Sequence, residues 1–332
     1  MLTRFTADGS KLFRNDVETR PGGAQRPIRL RYATIGVSSF RAAMEEALVT
    51  WYLPEHITHL YYSPVYATLS HGAKLAYNKL HACYHCEMCA FLEGELPKHY
   101  LRAVAAPDTP EKLCRAAQAL AESEERHAAA FRALARRIAP GLYSKDEYVF
   151  VRPRSAASWI LRKLFDWPGL RPALLWIALI QEERGAFFGE EILRQPEQLA
   201  PEMVNWQREH LADERAHLSL GEELLPLCWD AAPRWMRRLN GRLLRFLLRE
   251  FLSAPKRSGM RVIEYLVREC PELTPRKTEL MTAMRALDRN PRFHQSLYSR
   301  KIVPKTFALL DEYGEFRHLG KSVWGYSREA NQ

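Results

Sequence analysis

No stretch of the 332-residue chain holds the roughly 18 to 20 consecutive apolar residues that a membrane-crossing helix requires, which excludes a helical integral membrane protein. The opening MLTRFTADGSKLFRND lacks the apolar core of a secretory leader, and a cytoplasmic location is expected. Cysteine is scarce. The six residues Cys83, Cys86, Cys89, Cys114, Cys228 and Cys270 fall in helical patterns without the density of a disulfide scaffold, so reduced thiols are expected. There is no low-complexity tract, and no internal repeat beyond one short doubled motif. What is present, 47% hydrophobic and 27% charged residues, is the composition of a globular protein of one large or two modest domains. The net charge of +10 favours anionic partners by long-range steering and says little about fold. Much of that excess lies after Arg234.

Residues 1–35 contain ETRPGGAQRP and read as an irregular arm. A helix is expected over Ser38–Leu53, stopped by Pro54, with a short one over Pro54–Tyr62 before Pro64 breaks the chain. From Ser70 to Leu96 the chain is apolar on most sides, as a central bundle helix should be, and Pro97 ends or kinks it. Asp108, Thr109 and Pro110 signal the start of a second long helix that Pro140 and Gly141 stop after Ile138. A crossover over 142–170, with a short amphipathic helix at Ala156–Phe165, leads to a third helix over Arg171–Leu193. A fourth runs over Pro201–Leu225, closed by Pro226. Basic amphipathic helices follow over Pro233–Leu252 and Met260–Cys270, with another in TPRKTELMTAMRAL, and the tail after Phe316 has no periodicity. The expectation is an all-α protein: a four-helix bundle over 36–226, with the arm over 1–35 and a basic helical extension over 227–332 packed on the bundle.

The chemistry concentrates in NWQREHLADERAHLSLGEE, Asn205 to Glu223. At about 100° per residue, His210, Glu214 and His217 lie within roughly 60° of one helix face. A second Glu-x-x-His, Glu124 and His127, stands upstream in AESEERHAAAFR. Two such motifs, joined by a lone carboxylate from each of two further helices, make the di-iron or di-manganese site of ferritin-like bundles. Two divalent irons carry four positive charges. Four carboxylates cancel them, and neutral imidazoles add nitrogen donors without charge. On the first long helix Glu87, Glu93 and Glu95 compete, and Glu93, in AFLEGEL on a face with Cys86, Cys89 and Ala90, is the choice. On the third, Glu182 and Glu183 are adjacent in an apolar run. Glu183, which stacks with Trp176, Ile180 and Phe187, is preferred to Glu182. A single Glu-x-x-His is common by chance, and His210 alone would read as an ordinary surface or core histidine; the doubling on separate, apolar-flanked helices carries the metal reading.

The run His210, Leu211, Ala212, Asp213, Glu214, Arg215, Ala216, His217 places a histidine one turn before the second Glu-x-x-His. In this the chain resembles the p-aminobenzoate N-oxygenase family of non-haem di-iron enzymes, over Leu60–Leu225 and including Tyr77 and Asn78. The resemblance implies a ferritin-like bundle in which Glu93, Glu124, His127, Glu183, His210, Glu214 and His217 hold two iron ions. It implies O2 as co-substrate, an external electron donor or reductase, and oxygen transfer to an amine nitrogen in natural-product biosynthesis. The substrate would be a small amine or a carrier-tethered amino acid, giving hydroxylamine, nitroso or nitro products. No side chain beyond the metal ligands need act catalytically. From Pro226 onward the resemblance offers nothing.

Other signals have plain readings. Cys83, Cys86 and Cys89, three apart, drift about 60° per step along a helix and lack an evident fourth ligand, so soft packing beside the metal is expected in place of a separate cluster. Arg234, Arg237, Arg238, Arg242, Arg245 and Arg249 read as a solvated face over a stripe of Leu243, Phe246 and Leu247, with an acidic carrier protein as the partner they would suit. Tyr61, Tyr62 and Tyr66 read as packing, and Arg184 as packing or as a partner for a substrate carboxylate. Nucleic acid is not an expected partner, no membrane span is expected, and a homodimer is left open. The competing functions are a di-iron carbon hydroxylase or desaturase, a non-enzymatic iron-binding protein, and a nucleic-acid binder with a vestigial bundle.

Overall fold

The structure, a computed structural model, describes residues 50–327 apart from 96, 105–109, 153–158, 160–162, 164–165, 250–256 and 322. The expected arm over 1–35, the first helix up to residue 49, and most of the short helix at 156–165 lie outside the described residues. Residues 50–53 are not helical, contrary to expectation. Trp51 instead bridges to Leu199, and the Asn78 side chain takes up the backbone nearby. Its Oδ1 accepts from the amides of Tyr52 and Leu53 at 2.8 and 3.1 Å, and its Nδ2 donates to the Leu53 carbonyl at 2.8 Å. A side chain thus satisfies the groups that a helix would have paired internally.

Four long helices form the bundle: α1 (His71–Glu95), α3 (Glu111–Ile138), α4 (Arg171–Leu193) and α5 (Pro201–Asp230), with the short α2 (Pro97–Val104) after α1. Prolines at the first positions of α4 and α5 pre-set the helical φ where no amide partner is needed. α1 pairs with α3 antiparallel, Cys83 opposite Ala135 and Gly94 opposite Ala128. α4 pairs with α5 in the same sense: Gly185 lies against Glu214, and Gly189 against Gln207 and Leu211. A Cβ on Gly189 would stand 3.3 Å from Gln207 Oε1, so the Gly-x-x-x-Gly spacing lets the two helices approach closely. The long connection between α3 and α4 makes this the one-crossover variant of the up-down bundle.

α5 does not stop at Pro226. The proline forfeits one i→i−4 bond, yet the helix continues to Asp230 because Trp229 is wholly buried, stacked on Phe316 at 5.0 Å and against Trp176 at 5.8 Å. Burying such a ring is worth on the order of 2–3 kcal/mol, which offsets the lost bond.

α4 is buried throughout Pro172–Ile180, because α5 covers one side and C-terminal helices cover another. These are α6 (Arg234–Leu247), α7 (Ser258–Glu269), α8 (Lys277–Ala286), α9 (Pro291–Leu297) and α10 (Pro304–Asp311). α7 lies on α1, α6 and α10 on α4. Buried polar side chains tie these layers. Asn240 of α6 accepts from the Ala173 amide at 2.9 Å and donates to the Gly169 and Met236 carbonyls. Glu87 of α1 accepts from Tyr143 Oη and from the amides of Val149, Phe150 and Val151, all at 2.7–2.8 Å, and so pins the start of the crossover. No described helix is long and apolar enough to cross a membrane.

Candidate metal centre

The four bundle helices bring carboxylates and imidazoles to one buried point. Glu93 comes from the last turn of α1, Glu124 and His127 from the middle of α3, Glu182 from α4, and His210, Glu214 and His217 from α5. Oε1 of Glu214 sits among the imidazoles, 2.8 Å from Nε2 of His210, 3.8 Å from Nδ1 of His217 and 3.9 Å from Nδ1 of His127. Oε1 of Glu124 lies 2.5 Å from Nδ1 of His217 and 3.9 Å from Nδ1 of His127. Glu93 closes the other side, its Oε1 3.4 Å from Nε2 of His210. Two overlapping groups result, Glu124–His127–Glu214–His217 and Glu93–His127–His210, each with its donor atoms within 4.8 Å of one another.

The donor set fits a cation pair. Oε2 of Glu93, Oε1 of Glu124, Nδ1 of His127, Nε2 of His210, Oε1 of Glu214 and Nδ1 of His217 are buried, and none has a hydrogen bond of acceptable geometry. An unpaired buried polar atom costs about 1–3 kcal/mol, and six at one point call for a common partner. The far side of His127 has its partner: Nε2 lies 3.1 Å from Oδ2 of Asp213, which Ser123 Oγ also contacts at 3.4 Å. An outer carboxylate of this kind fixes the ring so that Nδ1 faces inward.

Burial and the neighbouring carboxylates push the carboxyls of Glu93 and Glu214 well above their ordinary value, and Glu124 from 4.5 up to about 7. Without metal these groups hold protons, which a bound cation releases. A folded-state value above the unfolded one means stability that is present at low pH and lost as pH rises. The buried imidazoles of His127 and His210, held below their ordinary value, act in the opposite sense, so the quantity to read is the metal effect: Fe(II) or Mn(II) is expected to raise the Tm more at pH 7 than at pH 5. Calorimetry with and without metal reads this directly, and a metal effect that does not grow with pH would remove the cluster as a cation site.

Glu183 is the one residue of the expected set that the structure does not bring to this point. Its Oε1 and Oε2 accept from the amides of Lys305 and Thr306, at 2.7 and 2.8 Å. α10 starts at Pro304, so these are its first free amides, and a carboxylate there caps the helix and meets its positive end. Glu182, one residue earlier and about 100° round the helix, turns inward instead. Its Oε2 is 3.7 Å from Nδ1 of His217, and its charge bears on Glu93, Glu124 and Glu214 alike. Glu87 and Glu95 lie elsewhere, Glu87 on the crossover amides and Glu95 at 3.2 Å from Lys98 Nζ.

Beside Glu93 and Glu214 lies a cavity of about 100 Å³, walled by His59, His81, His85, Phe131, Arg184 and Tyr298 among others. Burial, with Arg184 next in weight for His59 and His85, holds His59 down to about 3, His85 to about 4, and His81 low as well, so this wall is neutral imidazole. Arg184 is the cation among the described lining residues. Its Nη1 donates to Gln181 at 3.2 Å, its guanidinium lies 4.5 Å from the Phe188 ring centre, and its buried Nε has no partner. Sequence reasoning missed the histidine wall. Its trace is a stripe, His81, His85, Cys89 and Glu93, at four-residue steps that turn only about 40° each. Cys83 and Cys86 are buried packing, and among the described residues no candidate metal group includes a cysteine.

A helical bundle with one long crossover, converging four carboxylates and three imidazoles on a buried point, is a ferritin-like fold with a Glu/His cluster that could bind metal. A family model described as P-aminobenzoate N-oxygenase AurF matches residues 42–314. The chain belongs to that family, whose members are di-iron oxygenases of ferritin-like helical fold. No curated protein and no solved structure matches the chain. The family match runs past Leu225, where the resemblance was expected to end, and takes in α6 to α10.

Proposed function

We propose that this chain is a non-haem di-iron monooxygenase that transfers one atom of O2 to the nitrogen of a small amine, within natural-product biosynthesis. The observation that carries this is the cavity: the unpaired carboxylate and imidazole atoms form one side, and a half-buried cation, Arg184, with its Nε buried, stands on another. Glu93, Glu124, His127, Glu182, His210, Glu214 and His217 would hold the two irons, and bound iron would supply the activation of O2. Glu214, its Oε1 within 3.9 Å of a nitrogen of all three imidazoles, would be the carboxylate central to that set. Phe131 and Trp206 pack at 5.0 and 5.5 Å on the His210 ring and keep water from that side. Arg184 offers its unpartnered Nε to an acidic group on the substrate, so that the amine points to the metal side. About 100 Å³ approaches the size of an engineered cavity of about 150 Å³ that admits benzene, which suits a single-ring arylamine or a small amino acid better than a bulky molecule. The overall change converts an amine, O2, two electrons and two protons to a hydroxylamine and water, so an external electron donor completes the reaction.

The test is anaerobic loading with ferrous iron, metal counting, exposure to O2 and mass analysis of products from p-aminobenzoate and from a panel of amino acids. About two irons per chain and an amine product heavier by one ¹⁸O from ¹⁸O2 are expected. Oxygen found on carbon would make the chain a hydroxylase, and fewer than about one iron per chain would sink the di-iron reading.

A further inference from the structure

A groove of about 750 Å³ runs between α6 and the Gly314–Leu319 segment, and its rim is arginine. Arg234, Arg238, Arg242 and Arg245 follow one another at steps of four, four and three along one face of α6, and Arg317 faces them from the other wall. None of these five has a carboxylate within salt-bridge distance among the described residues. The one acid in the groove, Glu315, is taken by Arg237, Nε to Oε1 3.3 Å, and Arg237 also reaches Asp230 at 3.6 Å. The groove therefore presents uncompensated positive charge. Exposed aromatics border it: Trp235 is 59% and Phe246 51% exposed, and eleven residues apart on a helix they lie within about 20° of one line. Arginine with exposed aromatic side chains is the composition of a protein-binding surface. A membrane surface would take the helix's apolar face, but Met236, Leu244 and Leu247 of that face are buried in this chain.

What lies beneath the groove narrows the partner. Phe316, part of the groove lining, stacks on Trp229 at 5.0 Å and meets Trp176 at 5.2 Å, and all three rings are at most 1% exposed. Trp176 is on α4, six residues and so about 9 Å along the axis from Glu182. A close-packed aromatic column thus joins the floor of the basic groove to the helix that carries a carboxylate of the metal centre. The substrate cavity shares no lining residue with this groove, so a carrier delivering substrate has no reason to dock here.

We infer that the groove is the docking site for a small acidic one-electron carrier protein of the [2Fe–2S] ferredoxin class. This rests on the di-iron reading above. Two reduced carriers dock in turn; each gives up one electron and is oxidised by one, and each of the two metal ions of the loaded site passes from +3 to +2, with no covalent bond made or broken.

The test uses the full chain and a plant-type [2Fe–2S] ferredoxin as probe. Binding by interferometry, with metal-free and iron-loaded protein, is expected to weaken steeply with added salt. The double variant Arg238→Glu/Arg242→Glu, at exposed positions outside the metal site, is expected to weaken it about tenfold or more. Stopped-flow oxidation of reduced ferredoxin by the iron-loaded variant should slow by a similar factor, while reduction by dithionite through methyl viologen stays unchanged. Circular dichroism and a milder Arg238→Gln/Arg242→Gln pair guard against misfolding. Equal ferredoxin binding and oxidation by the wild type and the charge-reversed variant would overturn the inference alone. So would groove-dependent capture of a DNA duplex or of anionic vesicles without ferredoxin binding. If the loaded protein accepts no electrons even from viologen, the di-iron reading falls and the inference falls with it.

Discussion

Glu182→Ala and Glu183→Ala, adjacent substitutions on one helix, are expected to fail in opposite ways. Glu182 turns to the buried cluster, 3.7 Å from His217, whereas Glu183 turns to the first amides of α10. Loss of Glu182 removes one of four carboxylates that balance two divalent cations, so iron should drop from about two per chain to about one or fewer. Removing even an outer-shell partner costs 10–100-fold in metal affinity or activity, so loss of a direct ligand should lower turnover by at least about 100-fold. Stability of the metal-free form should not fall, because one repulsive buried charge is gone: Glu182 is among the groups that raise Glu93, Glu124 and Glu214. Loss of Glu183 leaves two amides at the start of α10 without an acceptor and should cost about 2 kcal/mol of stability, with iron content kept near the wild-type value. Iron counting and thermal melting on both variants decide the matter. Iron lost from Glu183→Ala and retained by Glu182→Ala would reverse the assignment.

That pair also shows what a sequence can and cannot disclose. The long helices are legible because their limits are local: Arg171–Leu193 is observed as expected, and prolines mark the starts of α4 and α5. The inward faces of α3 and α5 are legible too, since Glu124 with His127, and His210 with Glu214 and His217, carry their geometry in their own spacing. A lone carboxylate in an apolar helix announces only that it is buried. What buries it lies far along the chain: the partners of Glu183 are 122 and 123 positions away, and the amides on Glu87 are 62 to 64 away. Stacking with Trp176 and Ile180 marks Glu183 as facing protein, but α10 and the metal point are both protein-facing directions from α4. The end of α5 fails for the same reason. Pro226 is a local stop signal overruled by Trp229, whose stacking partner Phe316 comes from the far C-terminal region. The arginine face of α6 was visible as charge, but the groove exists only where the Gly314–Leu319 segment folds back across it.

Glu87→Ala should produce the largest loss of stability of any single carboxylate change outside the metal cluster, with no loss of iron. The Glu87 side chain is 2% exposed and accepts from four donors.

 

Tyr143 Oη and three successive amides, Val149 to Val151, all converge on the one carboxylate, which pins the segment after α3 to the middle of α1. Burial pushes this carboxyl up, and the four donors pull it down. Truncation to alanine strands three backbone amides and a phenol in a dry site, and each unsatisfied buried group costs about 1–3 kcal/mol before the segment relaxes toward water. A net loss of about 3 kcal/mol is expected, which for a chain of 332 residues lowers Tm by roughly 4 °C. Glu87→Gln keeps the shape and one acceptor oxygen but turns an NH2 group toward amide donors, so it should recover less than half of that loss. Both variants should still bind iron as the wild type does, because Glu87 contributes no atom to either candidate metal group. Thermal melting at a fixed scan rate and iron counting on the same samples test the two halves together. A Glu87→Ala protein that melts within about 1 °C of the wild type would show that the crossover is held by its apolar contacts, Val149 and Phe150 among them, and that the carboxylate is dispensable.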